Sequence, residues 1–318
     1  MNTSNTAVSP LIRGEAFSLS ALADSYMACY QGRDPSFGHK LSFIVQQLGH
    51  KVASEIDADD VDDLLDALRA RGKLFNRGGN KKGGQIIATH KPLAAATINR
   101  YRCTFQSVLS WARRKRLMPK TWTNPVAETQ RMPEDNARSR YLSEAEYERL
   151  IKTSRVSSWP KLTLLIMLAV TTGARRGTLM SLQWKDVDLD AGRAFCARTK
   201  NGEPFVLVLM PDVLEELKRF CSKSKPEDLV FCGKYPTKSM NFYKTWEVAL
   251  ADAQIEGVVF HTLRHTHASW LARRGAPLLA IADSLGHKSL AMTKRYSHLC
   301  VDSRAEMLNR VFQNRQAA

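Results

Sequence analysis

The segment from Met118 to Arg140 limits what this chain can fold into more than any other. It carries Pro119, Pro125 and Pro133 among mixed polar residues and has no apolar periodicity. Proline fixes φ and removes a backbone donor, so neither a long helix nor a central strand can run through such a segment. Periodic apolar sequence lies on both sides of it. The chain therefore reads as two domains joined by a linker over 118–140, and its 318 residues suffice for two at about 100–200 residues each.

Upstream of the linker, residues 1–15 read as a flexible lead. Leu19, Leu22, Ala23, Tyr26 and Met27 recur at the i, i+3, i+4 spacing of an amphipathic helix, as do Leu41, Ile44, Val45 and Leu48. Asp60 to Ala70 predicts a third helix. Phe75 to Pro92 is rich in Gly and Lys and reads as a loop, and Leu93 to Leu117 as a long basic helix. Residues 16–117 are thus expected to form a small all-helical domain.

Charge is segregated within it. Glu55 to Asp66 holds seven acids, whereas Ala67 to Ala127 holds 14 Lys or Arg and no acid. A solvated helical face normally mixes signs, so this stretch points to a polyanion, and its Lys81, Lys82, Arg100, Arg102, Arg113, Arg114, Lys115 and Arg116 are candidate phosphate contacts. The whole chain, at a formal +16, has the balance of a nucleic-acid partner.

Residues 141–318 read as the second domain. Ser143 followed by Glu146 is a capping box that starts a helix. Another helix is predicted from about Pro160 to Thr172, around the most apolar stretch, Leu162 to Val170. Arg193 to Thr199 and Phe205 to Met210 are strand-like and flank Lys200-Asn201-Gly202-Glu203, where Asn-Gly signals a tight hairpin. After Pro211 the pattern is again mostly helical. The fold class is therefore mainly α, with a small β-sheet in the second domain.

Several classes drop out. No apolar run approaches the roughly 18 residues of a membrane helix, and the N-terminus lacks the basic and apolar regions of a signal peptide, so no membrane role and a cytoplasmic location are expected. The six cysteines show no C-x-x-C spacing, which leaves neither a disulfide framework nor a zinc finger.

Four separated pieces carry chemistry: Thr172-Gly173-Ala174-Arg175, the hairpin Lys200, His261-Thr262-Leu263-Arg264-His265, and Leu285-Gly286-His287 with Tyr296 nine residues beyond His287. Taken alone, each has a plainer reading. Arg175 suits a helix end, Lys200 a solvated turn, His261 a structural histidine and Tyr296 a half-buried core position. Together they supply what phosphodiester cleavage needs: a nucleophile, planar cations for the non-bridging oxygens, and a proton for the leaving oxygen. His261 and Arg264, three apart, share a helix face. Gly286 can end one helix and Ser289 can cap the next, and that break lets His287 and Tyr296 converge.

The order T-G-x-R, hairpin Lys, H-x-L-R-H-T, L-G-H, Tyr resembles the tyrosine recombinase, or phage integrase, family. The matching motifs span Thr172 to His298, and the N-terminal segment resembles the family's core-binding domain more loosely. The resemblance implies a helical core-binding domain followed by an α+β catalytic domain. It implies a catalytic set of Arg175, Lys200, His261, Arg264, His287 and Tyr296. Tyr296 would attack the scissile phosphate of double-stranded DNA to form a 3′-phosphotyrosyl link. Arg175, Arg264 and His287 would stabilise the pentavalent state, His261 would assist proton transfer, and Lys200 would protonate the 5′ oxygen. The bond energy is kept in the phosphotyrosine, so no cofactor, metal or ATP is implied, and no P-loop motif occurs. A homotetramer on paired sites is implied, with a helix over Leu299 to Phe312 docking on a neighbour. The short lead before the first helix leaves no room for a separate arm-binding domain. Thr178 stands where the family often has Glu, which bears on how Arg175 is held. A metal enzyme built on His261 and His265, a type IB topoisomerase and a DNA-binding protein without catalysis are the rival readings. The first lacks H-E-x-x-H and an acidic cluster, the second needs no synapsis, and the intact catalytic set speaks against the third.

Overall fold

A computed structural model describes residues 15–77, 85–89, 91–134, 140–196, 204–222 and 224–300, with 305, 308, 309, 311 and 312 of the tail. The chain divides into two compact units, Met1–Asn136 and Ala137–Ala318.

The first unit is built on helices α1 (Leu19–Ala28), α2 (Phe37–Leu48), α3 (Ala58–Arg71) and α4 (Ala95–Arg114). Their starts follow from local chemistry. Ser18 Oγ accepts from the Ala21 amide at 3.2 Å, and Asp57 with Asp60 forms a reciprocal capping box. Phe105, Val108 and Leu109 of α4 are fully buried against Leu19, Leu22, Ile44, Leu64 and Leu68 of the other helices. The proline-bearing segment after α4 packs on this same core through Met118 and Val126.

The expectation of a wholly helical unit needs correction. Strands β1 (Leu74–Arg77) and β2 (Gln85–Ala88) pair antiparallel, with Phe75 opposite Ile87, inside the stretch expected to be a loop. The Gly and Lys between the strands dominate its composition and hide two short runs of β-favouring Leu, Phe and Ile.

The second unit is organised around α6 (Leu162–Thr172). Every residue from Leu162 to Val170 is buried, as a helix apolar on all sides requires, and the one hydroxyl among them, on Thr163, meets Ser154 Oγ at 2.9 Å. Around it lie α5 (Glu144–Arg155), α7 (Arg176–Met180), α8 (Pro211–Cys221), α9 (Tyr243–Asp252), α10 (Thr262–Arg273) and α11 (Leu278–Leu285). The capping box at Ser143 and Glu146 is formed. A three-stranded antiparallel sheet, in the order β3 (Val187–Asp188), β4 (Arg193–Cys196), β5 (Phe205–Val208), turns Ala194, Cys196 and Leu207 into the core. The third strand, two residues long, gave no sequence signal. The turn between β4 and β5, with Lys200, lies outside the described residues. After α11 come two 3₁₀ segments, Leu290–Met292 and Lys294–Cys300. Leu299 belongs to the second of these rather than to a tail helix. The described tail positions are helical, and Leu308, Val311 and Phe312 are exposed.

Among the described residues, no helix is long and apolar enough to cross a membrane. All six cysteines are free thiols.

Candidate active site

The site in the second unit is assembled where two helices end. The last carbonyls of a helix have no intrahelical partner and carry the negative end of its dipole. α6 stops at Gly173 (φ +62°) and α11 at Gly286 (φ +60°), both left-handed. Arg264, in the first turn of α10 and 6% exposed, donates from one Nη to the Gly173 carbonyl and from the other to the Leu285 carbonyl, each at 2.7 Å. These two bonds fix the guanidinium plane, and three of its five N–H donors remain. Burial first, and then the charge of Arg175, pull its pKa down to about 10.

His267 braces the same two helices. Its Nδ1 lies 2.8 Å from the Val170 carbonyl and its Nε2 2.6 Å from Ser284 Oγ. A Cβ on Gly173 would lie 2.6 Å from the His267 ring and 2.8 Å from Leu285 Cδ2, so the T-G-x-R glycine is needed for space as well as for its φ.

Gly286 lets the His287 amide turn back to the Ala282 carbonyl at 2.9 Å. Ser289 Oγ then caps the next turn through the Ala291 amide at 3.2 Å. The break between helices anticipated at these two residues is present. His287 Nδ1 sits 2.8 Å from Oγ1 of Thr293, which is fully buried. Burial, followed by Arg264, Arg175 and Arg295, lowers the His287 pKa to about 4. Arg175, half-buried, is the cap residue of α7. Arg175, Arg264 and His287 all line one cleft of about 240 Å3, with Thr178, Phe205 and Gly286 in its wall.

Tyr296 lies in the segment Lys294–Cys300 and is 6% exposed. Its hydroxyl is 2.6 Å from His265 Nδ1. Burial raises its pKa, and Arg295 and Arg264 pull it back. His261, just before α10, has an exposed edge and stands edge-to-face on His265 at 5.1 Å between ring centroids. Partial burial of its ring, then Arg264, Arg175 and Arg295, lower its pKa. Of the six candidates, three thus share the cleft, while His261 and Tyr296 meet through His265. Lys200 lies outside the described residues. His265 entered the sequence reading as part of the H-x-L-R-H-T motif and as a partner for a metal, with no role in the phosphoryl chemistry, although its i+4 spacing already placed it on the His261 face. Among the described residues, no three His, Cys, Asp or Glu side chains are grouped to hold a metal ion.

In the first unit, Arg100, Arg113, Arg114, Lys115 and Arg116 are exposed on or just after α4. Arg102 differs. Its guanidinium donates to Thr129 Oγ1 at 2.9 Å, to the Thr129 carbonyl at 2.8 Å and to the Val126 carbonyl, so it ties the proline-bearing segment to α4. An arginine committed to three internal acceptors is poorly placed for a phosphate. Lys81 and Lys82 lie outside the described residues.

Residues 140–302 match the model of the phage integrase family. Tyrosine recombinase XerA of Saccharolobus solfataricus is 26% identical over 74% of this chain and 74% of its own length. The integrase of Salmonella phage P22 is 28% identical over 71% of this chain, which spans 60% of that protein. The shufflon-specific DNA recombinase of Escherichia coli is 30% identical over 66% of this chain, which spans 53% of it. Among solved structures, the Tn1549 transposon integrase in complex with circular intermediate DNA superposes with a TM-score of 0.68 at 16% identity, covering 92% of this chain and 99% of the other. A lambda integrase dimer bound to a COC′ core site gives 0.64 at 18%, covering 89% and 78%. These two likenesses concern the fold, which is mostly helical with small antiparallel sheets. With a family match over half of its length, the chain belongs to the phage integrase family of tyrosine recombinases, whose members break and rejoin DNA strands.

Proposed function

We propose that this protein recombines double-stranded DNA at specific sites through a covalent bond between Tyr296 and a 3′ phosphate. The observation that carries the reading is the convergence of Arg175, Arg264 and His287 on one cleft, with the Tyr296 hydroxyl held 2.6 Å from Nδ1 of His265, the residue next to Arg264. Arg264 and Arg175 donate to the non-bridging oxygens, and His287, with its Nδ1 side on Thr293, offers Nε2. Charge that develops on the phosphoryl oxygens meets donors already in place, so little reorganisation is needed as the reaction proceeds. The Tyr296 Oη–P bond forms as the P–O5′ bond breaks, and Lys200 gives the proton to O5′. A 5′ hydroxyl from the partner strand reverses the step. His261 assists proton transfer from the outer side of His265.

The exposed basic residues Arg100, Arg113, Arg114, Lys115 and Arg116, with Lys81 and Lys82, contact phosphates of the duplex. We leave Arg102 out of that set. Four copies on paired sites carry out the exchange, in the cytoplasm, where the DNA substrate lies.

Tyr296→Phe removes one oxygen and tests the reading. The variant is expected to bind target DNA as the parent does and to form no covalent adduct on a nicked suicide substrate in EDTA. Adduct formed by the variant, or parent activity abolished by the chelator and restored by a divalent ion, refutes it.

A further inference from the structure

Among the described residues, the Tyr296 hydroxyl meets a polar partner that is not one of the six residues the family resemblance supplies. His265 Nδ1 lies 2.6 Å from Oη, with the rings 6.1 Å apart and tilted by 47°. Position explains the contact. His265 follows Arg264 on α10, so the helix turns it about 100° away from the guanidinium, toward the segment that carries Tyr296. The α10 backbone thus fixes a cation for the phosphate and a base for the phenol at successive residues. The apolar cluster of Ala268, Ala272, Ile281 and Leu285 around Tyr296 keeps bulk water from serving as the base.

We propose that His265 is a catalytic residue, the immediate acceptor of the Tyr296 proton when Oη attacks phosphorus. With its proton on Nε2, the imidazole accepts from the phenol at Nδ1. As the Oη–P bond forms, the phenol O–H bond breaks and its proton passes to Nδ1. The P–O5′ bond then breaks, and O5′ takes its proton from the separate acid. Atoms and charge balance with no further reactant. His261, edge-on to His265, stands one ring further out and does not touch the reacting oxygen. The groups around the pair set its titration. His261 lies just before α10 and Arg264, His267 and Arg273 on it, the Tyr296 segment carries Lys294, Arg295, His298 and Cys300, and α11 Asp283, while α6 has no titratable side chain.

This inference rests on Tyr296 being the nucleophile, and its test separates the two. Single-turnover adduct formation on the suicide substrate is followed from pH 5 to 9 for the parent, Tyr296→Phe, His265→Asn and His265→Ala, with DNA binding as the check on folding. Asn can keep a hydrogen bond near the Nδ1 position but cannot take a proton. Both His265 variants are expected to bind DNA normally and to cleave about 10²- to 10⁴-fold more slowly, the usual contribution of a positioned general base. Their rates should climb with pH through the whole range, because hydroxide must now take the proton, whereas the parent levels off once His265 is neutral. Added imidazole should restore part of the rate to His265→Ala. Should the variants cleave at the parental rate or faster, or be slow with the parental pH profile and no response to imidazole, His265 is not the acceptor. Adduct formed by Tyr296→Phe would instead overturn the nucleophile itself.

Discussion

Gly173→Ala is the most exacting single-atom test of how the cleft is built. The backbone there has φ +62°, which L-residues other than Gly adopt at about 1–2 kcal/mol. The new Cβ would meet His267 Cδ2 at 2.6 Å and Leu285 Cδ2 at 2.8 Å, distances at which something must shift. Neither neighbour yields easily. His267 is held at both ring nitrogens by the Val170 carbonyl and Ser284, and Leu285 is 1% exposed. Overpacking of this kind typically costs about 1–3 kcal/mol. The sum is about 2–5 kcal/mol, a large part of the roughly 5–15 kcal/mol that holds a domain together. A second effect reaches the chemistry, since Gly173 also supplies one of the two carbonyls that orient Arg264. Displacing it weakens a charge-assisted bond worth about 1.5–3 kcal/mol, so residual cleavage should fall about 10- to 100-fold. The control is Gly177→Ala. A Cβ there meets nothing, and α7 should gain up to about 1 kcal/mol. Urea unfolding of the full chain, with hydrogen exchange read on peptides from α6 and α11, measures both. If Gly173→Ala destabilises by less than about 1 kcal/mol, or if the two glycines respond alike, the close packing of α6 on α11 is not what holds the site.

Lys200→Ala should cleave ordinary DNA very slowly and recover on DNA with sulfur at the bridging 5′ position, because a thiol of pKa about 8.5 departs without a proton; Arg264→Ala should not recover, and failure of the sulfur substrate to rescue Lys200→Ala removes Lys200 as the acid. The logarithm of DNA affinity should fall with log salt at about −0.9 per phosphate contact, and Arg113→Ala with Arg114→Ala should make the slope shallower by up to about 1.8; an unchanged slope places the DNA surface elsewhere. His287, held near 4, should remain neutral by NMR down to about pH 5 in the free protein. Its pKa is depressed on folding, so the stability it lends is intact above about 6.5 and is lost as pH falls toward 4, and a ring titrating at 6.5 refutes the burial argument.

What could be read from the sequence depended on how local the signal was. The capping box at Ser143, the helix around the apolar stretch Leu162–Val170 and the break at Gly286 and Ser289 are each set by neighbouring residues, and each is present in the fold. The hairpin β1–β2 was missed because Gly and Lys outnumber its short apolar runs. The internal bonds of Arg102 were not foreseen because a basic residue on a basic helix gives no sign of acceptors 24 and 27 residues away. The contact between His265 and Tyr296 went unread for a similar reason. Tyr296 lies 31 residues on, beyond two helix ends, and no spacing rule spans that distance.

The electrostatics of the site follow from the same long-range closure. Arg175, Arg264 and Arg295 all act on His261 and His287, and each pushes the histidine pKa down. Cations brought this close repel one another, and burial adds to the cost, as the fall of Arg264 to about 10 records. What holds them is the pair of helix C-termini at Gly173 and Leu285, whose carbonyls give Arg264 partial negative charge without a carboxylate. A carboxylate in that place would neutralise the cleft and compete with a phosphate for the same donors. Backbone carbonyls satisfy two of the donors, and with Arg175 and Arg264 against the single carboxylate of Asp283 among the described residues of its wall the cleft keeps a net positive charge, which under the proposed function an entering phosphodiester would offset. The orientation of Arg264 is therefore set when α6 and α11 are packed, through the carbonyls of Gly173 and Leu285 and the His267 ring that braces both helices.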